Sequence, residues 1–387
     1  MQLSRLLAAQ SKEILIMKRW VCVFIIFLAL FMCYSNLYSA NILRVLTWEG
    51  YVLPEEVKEV NRILTKRGYP HRIELISPYA EGAEQMFRLI REKKCDIMFL
   101  TLFFIKMQGE KTSKLLQHIN VNSPRLTNYK YLLPTVGSIP MGLDKNHNPL
   151  YIPWGGGTYG FYADMKRVKE HEVPKSVKDL WDNEWRGKIS LNIAQPWYNI
   201  GLVLMALDKQ PFYINELILS GKRGEALHLC NSEGEIQRKT NELYMQAGHF
   251  WVKTPEFRDE LLIVTSWGPE IMRENNKGGK WKFLEFKKGY MLWLDTICFA
   301  KGLEGKKLEA AEIFANYFIG KKVQSRVAGG LSMVAVSSLA ESNPIIEKNP
   351  NFFLQEMFVP PYTKIADNLM QIVSNRALQT AGKKRIE

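Results

Sequence analysis

Apolar positions recur along this chain with two different periods. Short apolar runs at 42–46, 72–76 and 95–100 are each bounded by turn residues. Between them, residues 54–66 and the stretch through Met86, Phe87, Leu89 and Ile90 set apolar side chains at helical spacing. The first kind of run predicts strands and the second helices, with Pro54 opening the first helix. Strands that alternate with helices of this length predict parallel α/β topology. In such sheets ligands gather beyond the carboxyl ends of the strands, here 47–51, 77–84 and 101–103.

Farther along, Leu150-Tyr151-Ile152-Pro153-Trp154 leads into Gly155-Gly156-Gly157-Thr158. A proline and three glycines among apolar runs predict a crossover between lobes or a close approach of backbone to ligand. No Gly-Lys-Ser/Thr follows, which excludes a phosphate loop. A helix is expected to start within 176–181, a strand at 187–191, and further helices at 199–207, 301–321 and over most of 344–381. In the run Met291-Leu292-Trp293-Leu294-Asp295, Trp293 and Asp295 alternate on a strand and share a face. An acid on an apolar face needs a partner to offset its desolvation, either a structural ion pair or a ligand. Trp181 and Trp185 read as core, whereas Glu49 and Glu84 divide between cleft and solvent.

The amino-terminal end sets the compartment. Lys18-Arg19 precedes an apolar run at 20–32 that is short for a bilayer span, and Ser35, Ser39 and Ala40 follow. Residues 1–39 therefore read as an upstream extension and an export signal, with Met17 the expected start and cleavage near Ser39 or Ala40. Cys33 follows Leu30-Phe31-Met32, which offers lipid anchoring as the competing outcome. The remaining chain of about 350 residues predicts two domains. Cys95, Cys230 and Cys298 form no disulfide framework, and Cys95 and Cys298 read as buried thiols. The formal net charge is +13 and stays near about +10 without the signal. Export argues against nucleic acid as the partner, so the basic run at 277–288 reads as a surface facing anionic lipid or a transporter.

Enzyme chemistry finds little support. The six histidines, at 71, 118, 147, 171, 228 and 249, lack metal-site spacing, and there is no Gly-x-Ser-x-Gly elbow. Neither a cofactor nor a metal is expected.

The ordered motifs carry a resemblance. Trp48-x-x-Tyr51 follows a strand, then Ser77-x-Tyr79 with Glu84 and Met86, then Asp96-Ile97-Met98 leading to Thr101 and Phe103. Next come Tyr151-Ile152-x-Trp154-Gly155, Pro174-Lys175-Ser176-x-x-Asp179-Leu180-Trp181 and Glu184-Trp185-Arg186-Gly187. Ser266-Trp267-Gly268 and Trp293-x-Asp295 complete the series. In this order they resemble the polyamine-binding proteins of bacterial ABC importers. The resemblance implies an α/β, two-lobe periplasmic-binding-protein-like (type II) fold with a hinge between lobes. It places the first part of lobe 1 at 40–151 and the first part of lobe 2 at 152–294. Lobe 1 would return at 295–342, and a carboxyl-terminal helical segment at 343–387 would pack on lobe 2.

The same resemblance implies a periplasmic receptor that captures spermidine or putrescine and delivers it to an ABC permease. Trp48, Phe103, Trp267 and Trp293 would wall the ligand and Asp295 would accept an ammonium, with Glu49, Tyr51, Tyr79 and Thr101 adding contacts. Three departures bear on the cargo. Gly50 stands where the family sets an acid, with Glu49 shifted by one; 192–198 is neutral where the family is acidic; and Phe103 lacks a tyrosine's hydroxyl. Alternatives within this fold are a receptor for an amino-acid derivative or an anion, or for iron held by Tyr159 and Tyr198. A ligand-free surface interaction protein is the alternative of another class.

Overall fold

The computed structural model describes residues 41–107 and 112–382. The export signal and Cys33 lie outside the described residues. Two sheets organise the chain. The first has six strands in the order β11-β4-β10-β3-β1-β2, where β1 is Ile42–Leu46, β2 Arg72–Leu75, β3 Ile97–Thr101, β4 Ile152–Thr158, β10 Leu292–Phe299 and β11 Val334–Ala335. The second is β7-β6-β8-β5-β9, with β5 Gly160–Asp164, β6 Ile189–Asn192, β7 Ala247–Trp251, β8 Ile263–Ser266 and β9 Trp281–Phe283. The periodicity at the amino-terminal end translates directly: β1 pairs in parallel with both β2 and β3. Helix α1 (Pro54–Lys66) turns Val60 and Leu64 into the core, and α2 (Ala83–Arg91) does the same with Met86, Phe87 and Ile90.

The glycine run is a strand rather than a crossover loop. Residues 155–157 lie in β4 between β10 and β11, both antiparallel to it. A Cβ at Gly156 would sit 2.8 Å from the Trp293 carbonyl oxygen and 2.7 Å from the Phe353 ring, and one at Gly157 would sit 2.7 Å from Trp293 Cζ2. Glycine is thus required here by close packing, with no need for hinge freedom. Sheet membership differs from the expected lobe spans at two points. All of β4 belongs to the first sheet, so the chain crosses at Tyr159 rather than at 151/152. All of β10 belongs there too, which places the return before Leu292 rather than at 294/295.

Helices clothe both sheets. In the second lobe these are α3 (Pro196–Ala206), α4 (Tyr213–Leu219), α5 (Arg223–Cys230), α6 (Glu235–Gln246) and α7 (Pro269–Asn276). The stretch at 176–181 forms only a 3-10 turn, Val177–Trp181. The helix expected at 301–321 is α8 (Gly305–Phe318), which packs Phe314 and Phe318 against Phe99, and α9 (Lys321–Gly330) follows it. The carboxyl-terminal segment holds a short α10 (Pro344–Lys348) and a long α11 (Lys364–Thr380), which lies against α6, α3, α4 and α5. Cys95, Cys230 and Cys298 are free and buried. Among the described residues no helix is long and apolar enough to cross a membrane.

Candidate ligand-binding site

Asp295 anchors the candidate site. Strand β10 runs antiparallel to β3 and sets Asp295 opposite Thr101, at the carboxyl end of the parallel strands. Only 4% of Asp295 is exposed. The Tyr51 hydroxyl donates to Asp295 Oδ2 at 2.5 Å, while Oδ1 is buried with no hydrogen-bond partner of good geometry among the described residues. Burial pushes the carboxyl up to about 6, against the opposing pull of the Thr101 and Tyr51 hydroxyls. Oδ1 is thus an enclosed carboxylate oxygen without a geometric hydrogen bond among the described residues.

Tyr51 is itself fixed. Its ring lies 4.3 Å from Trp154 and 6.1 Å, edge-on, from Phe99. Burial raises its phenol well above the ordinary range, and the charges of Asp295 and of Glu270, on α7 of the other lobe, add to that. The phenol therefore acts as a neutral donor.

Aromatic rings build the walls. Trp293 is two residues from Asp295 on the same strand face, its indole resting on Gly157. From the second lobe, Tyr198 at the start of α3 lies 5.1 Å from Tyr159 and 5.0 Å from Trp267, and Tyr159 lies 5.2 Å from Trp267. Burial, and then the charge of Asp295, hold the Tyr198 phenol well above its usual range. Trp197 meets Phe103 of the first lobe edge-on at 6.3 Å and Tyr362 at 5.5 Å. The lobes are closed on each other here, and again where Gly268 abuts the Ser332 backbone. The indole nitrogens of Trp48, Trp197 and Trp293 are buried without an acceptor among the described residues.

Tyr51, Thr101, Trp293 and Asp295 thus come together, with Trp267 joined to them through Tyr198, Phe103 at the inter-lobe contact and Trp48 half-buried with its nitrogen enclosed. Glu49 and Tyr79 differ. Both stand in solvent in this closed conformation, Tyr79 with 40% of its surface exposed. Sequence reasoning did not assign Trp197 to the cleft wall, considered Tyr198 there only as an iron ligand, and did not assign Tyr362. The signal that would have found the first two is their place just past the carboxyl end of β6, behind the helix-opening Pro196.

The arrangement fits iron poorly. The Tyr159 hydroxyl is committed to Asn199 Oδ1 at 3.1 Å and to the Asn192 amide at 2.8 Å, and among the described residues no cluster of His, Cys, Asp or Glu could hold a metal ion. What the site offers is one buried anionic oxygen lined by aromatic faces, a match for an organic cation.

Comparison with known proteins agrees on the architecture. In solved structures the fold is similar to the substrate-binding protein of a spermidine/putrescine ABC transporter from Streptococcus pneumoniae, at 18% identity over 88% of this chain and 98% of that one, with a TM-score of 0.66. It is also similar to the Tp0655 (TpPotD) lipoprotein of Treponema pallidum, at 14% identity over 87% and 99% of the two chains, with a TM-score of 0.62. Iron-bound HitA from Pseudomonas aeruginosa has the same fold, at 12% identity over 88% and 98% and a TM-score of 0.53, so the architecture alone does not choose the cargo. No curated protein matches the sequence. The bacterial extracellular solute-binding protein family matches residues 107–358, well over half of the chain. With two α/β lobes built on separate sheets and a family match over most of its length, this chain belongs to the bacterial extracellular solute-binding proteins.

Proposed function

We propose that this protein is the receptor of an ABC importer and that its cargo is a polyamine, spermidine or putrescine. One observation supports this above the rest: the Oδ1 oxygen of Asp295, buried and unpartnered, among the indoles and phenols of both lobes. An ammonium placed there gains a charge-assisted hydrogen bond, and each aromatic face it meets adds about 0.5–2 kcal/mol. The methylene chain of a polyamine suits the aromatic surface of Trp267, Trp293 and Tyr198. The work of the protein is capture, lobe closure and release to the permease, with no covalent step. It acts outside the cytoplasmic membrane, and lipidation at Cys33 would tether it there.

A second reading has its own observation. The indole N–H groups of Trp48, Trp197 and Trp293 lack acceptors, and an amino-acid derivative would bring both an ammonium for Asp295 and a carboxylate for the indoles. Calorimetric titration of the mature protein with spermidine, putrescine and a small set of amino acids separates the two. Polyamines are expected to bind, and Asp295→Asn to abolish that binding. Heat from an amino acid alone would favour the second reading, and no heat from any of them would leave a surface protein without a small ligand.

A further inference from the structure

Behind the site, α9 carries Arg326, whose guanidinium makes four hydrogen bonds to three residues. Its Nε and Nη2 hold the two oxygens of Glu56 at 2.8 and 2.9 Å, Nη1 donates to the Gly50 carbonyl at 3.2 Å, and Nη2 donates to the Tyr51 carbonyl at 2.7 Å. Glu56 is 2% exposed and also accepts from the Leu53 amide at 2.9 Å. One planar cation therefore closes over the turn from Gly50 to Glu56. Gly50 has a φ of 81°, a turn geometry that side chains resist, so the loop depends on such external bonds for its shape. The phenol of the next residue is the one bonded to Asp295.

We infer that Arg326 is a positioning residue for ligand binding: by gripping the Gly50 and Tyr51 carbonyls it holds the Tyr51 hydroxyl on Asp295 Oδ2, which leaves Oδ1 as the oxygen that meets the ligand. This rests on Asp295 being the amine acceptor. A lysine in its place would keep the charge opposite Glu56 but could not span both the carboxylate and two carbonyls, since it lacks the planar fork. Its charge is not what sets Asp295: beside burial, the groups that act on that carboxyl are the Thr101 and Tyr51 hydroxyls, and the charged groups facing Tyr51 are Asp295 and, from the other lobe, Glu270, with the Tyr198 phenol also within the field of Asp295.

The test is a cycle of Arg326→Lys, Tyr51→Phe and the double variant. It reads the ligand-free titration of Asp295 by carboxyl carbon NMR and the affinity for putrescine and spermidine by calorimetry. Each single variant should move the Asp295 titration to higher pH and weaken the amines by about tenfold, the scale of one lost hydrogen bond to a charged group. The double variant should be no weaker than Tyr51→Phe alone, because the arginine acts through the phenol. The neutral pair Glu56→Leu with Arg326→Met removes the clamp without stranding a charge and should repeat the Arg326→Lys result. Additive losses, or an unmoved Asp295 titration beside a lowered Tm, would overturn the inference. Should the wild type bind no amine, the amine reading falls, while the NMR titration still decides the clamp.

Discussion

At one end of the first sheet, Asp96 accepts from the Arg44 amide at 2.8 Å, from Arg44 Nε and Nη2 at 2.9 and 3.1 Å, and from Lys307 Nζ at 2.9 Å. At the opposite end, Asp295 is as deeply buried but faces only hydroxyls, the Tyr51 phenol at 2.5 Å and that of Thr101, and no cation among the described residues. Burial works to raise both carboxyls, but the bonds from Arg44 and Lys307 bring Asp96 below the usual carboxylate range, whereas Asp295 stays raised, to about 6. On the proposed reading, the contrast separates a structural acid from a ligand-binding one. An acid whose lone pairs are saturated by the protein stabilises the fold, and one left under-satisfied is stabilised only by something that arrives.

The strongest way to break this comparison is to neutralise each acid in turn. Asp295→Asn should cost amine affinity at least about a hundredfold, as for a desolvated charge pair stripped of one partner, while the fold is kept. Asp96→Asn should leave affinity alone and lower unfolding free energy by roughly 2–4 kcal/mol, less than for a fully buried pair because Arg44 reaches solvent. Calorimetry and urea denaturation on both variants check the crossing pattern.

Acidity sharpens it next. The raised Asp295 contributes stability only at low pH, where the unfolded chain is protonated too, and loses it as pH rises through about 6. Asp295→Asn should therefore stabilise the ligand-free protein above that pH by roughly 2–3 kcal/mol. Amine affinity should run the other way and weaken as pH falls through about 6, since only the carboxylate holds an ammonium. Asp96, with its lowered value, contributes stability above the ordinary carboxylate range and loses it as pH falls through its folded value. Urea titrations at a series of pH values read all three.

Smaller effects follow from the wall. Gly157→Ala would put a methyl 2.7 Å from Trp293 Cζ2, and displacing that indole should weaken amines by roughly 1–2 kcal/mol, with a shift in tryptophan emission. Glu49→Gln should do least, less than about twofold in affinity, because its side chain stands in solvent.

Much of this was readable before folding. The strand and helix periods at 42–100 carry the parallel core of the first lobe, and Trp293 with Asp295 announces a shared strand face through a spacing of two. The glycine run, read as a crossover or a close approach of backbone to ligand, is the strand that leads into the crossing at Tyr159, and the crowding from β10 and β11 that demands its glycines leaves no trace in local composition. Trp197 read as part of a neutral stretch and Tyr198 beside it at most as an iron ligand, since only the position of α3 against the opposite lobe turns them into a wall.

By itself the sequence determined most of the local elements and the aromatic and acidic residue types at the strand ends, because these follow from periodicity and side-chain chemistry over short windows. The tertiary structure decided which acid is left open. Tyr51 and Asp295 stand 244 positions apart, Arg326 and Glu56 270, and Lys307 and Asp96 211. Whether a carboxylate is saturated or waiting depends on such distant partners, which chain closure brings to it and no local pattern encodes.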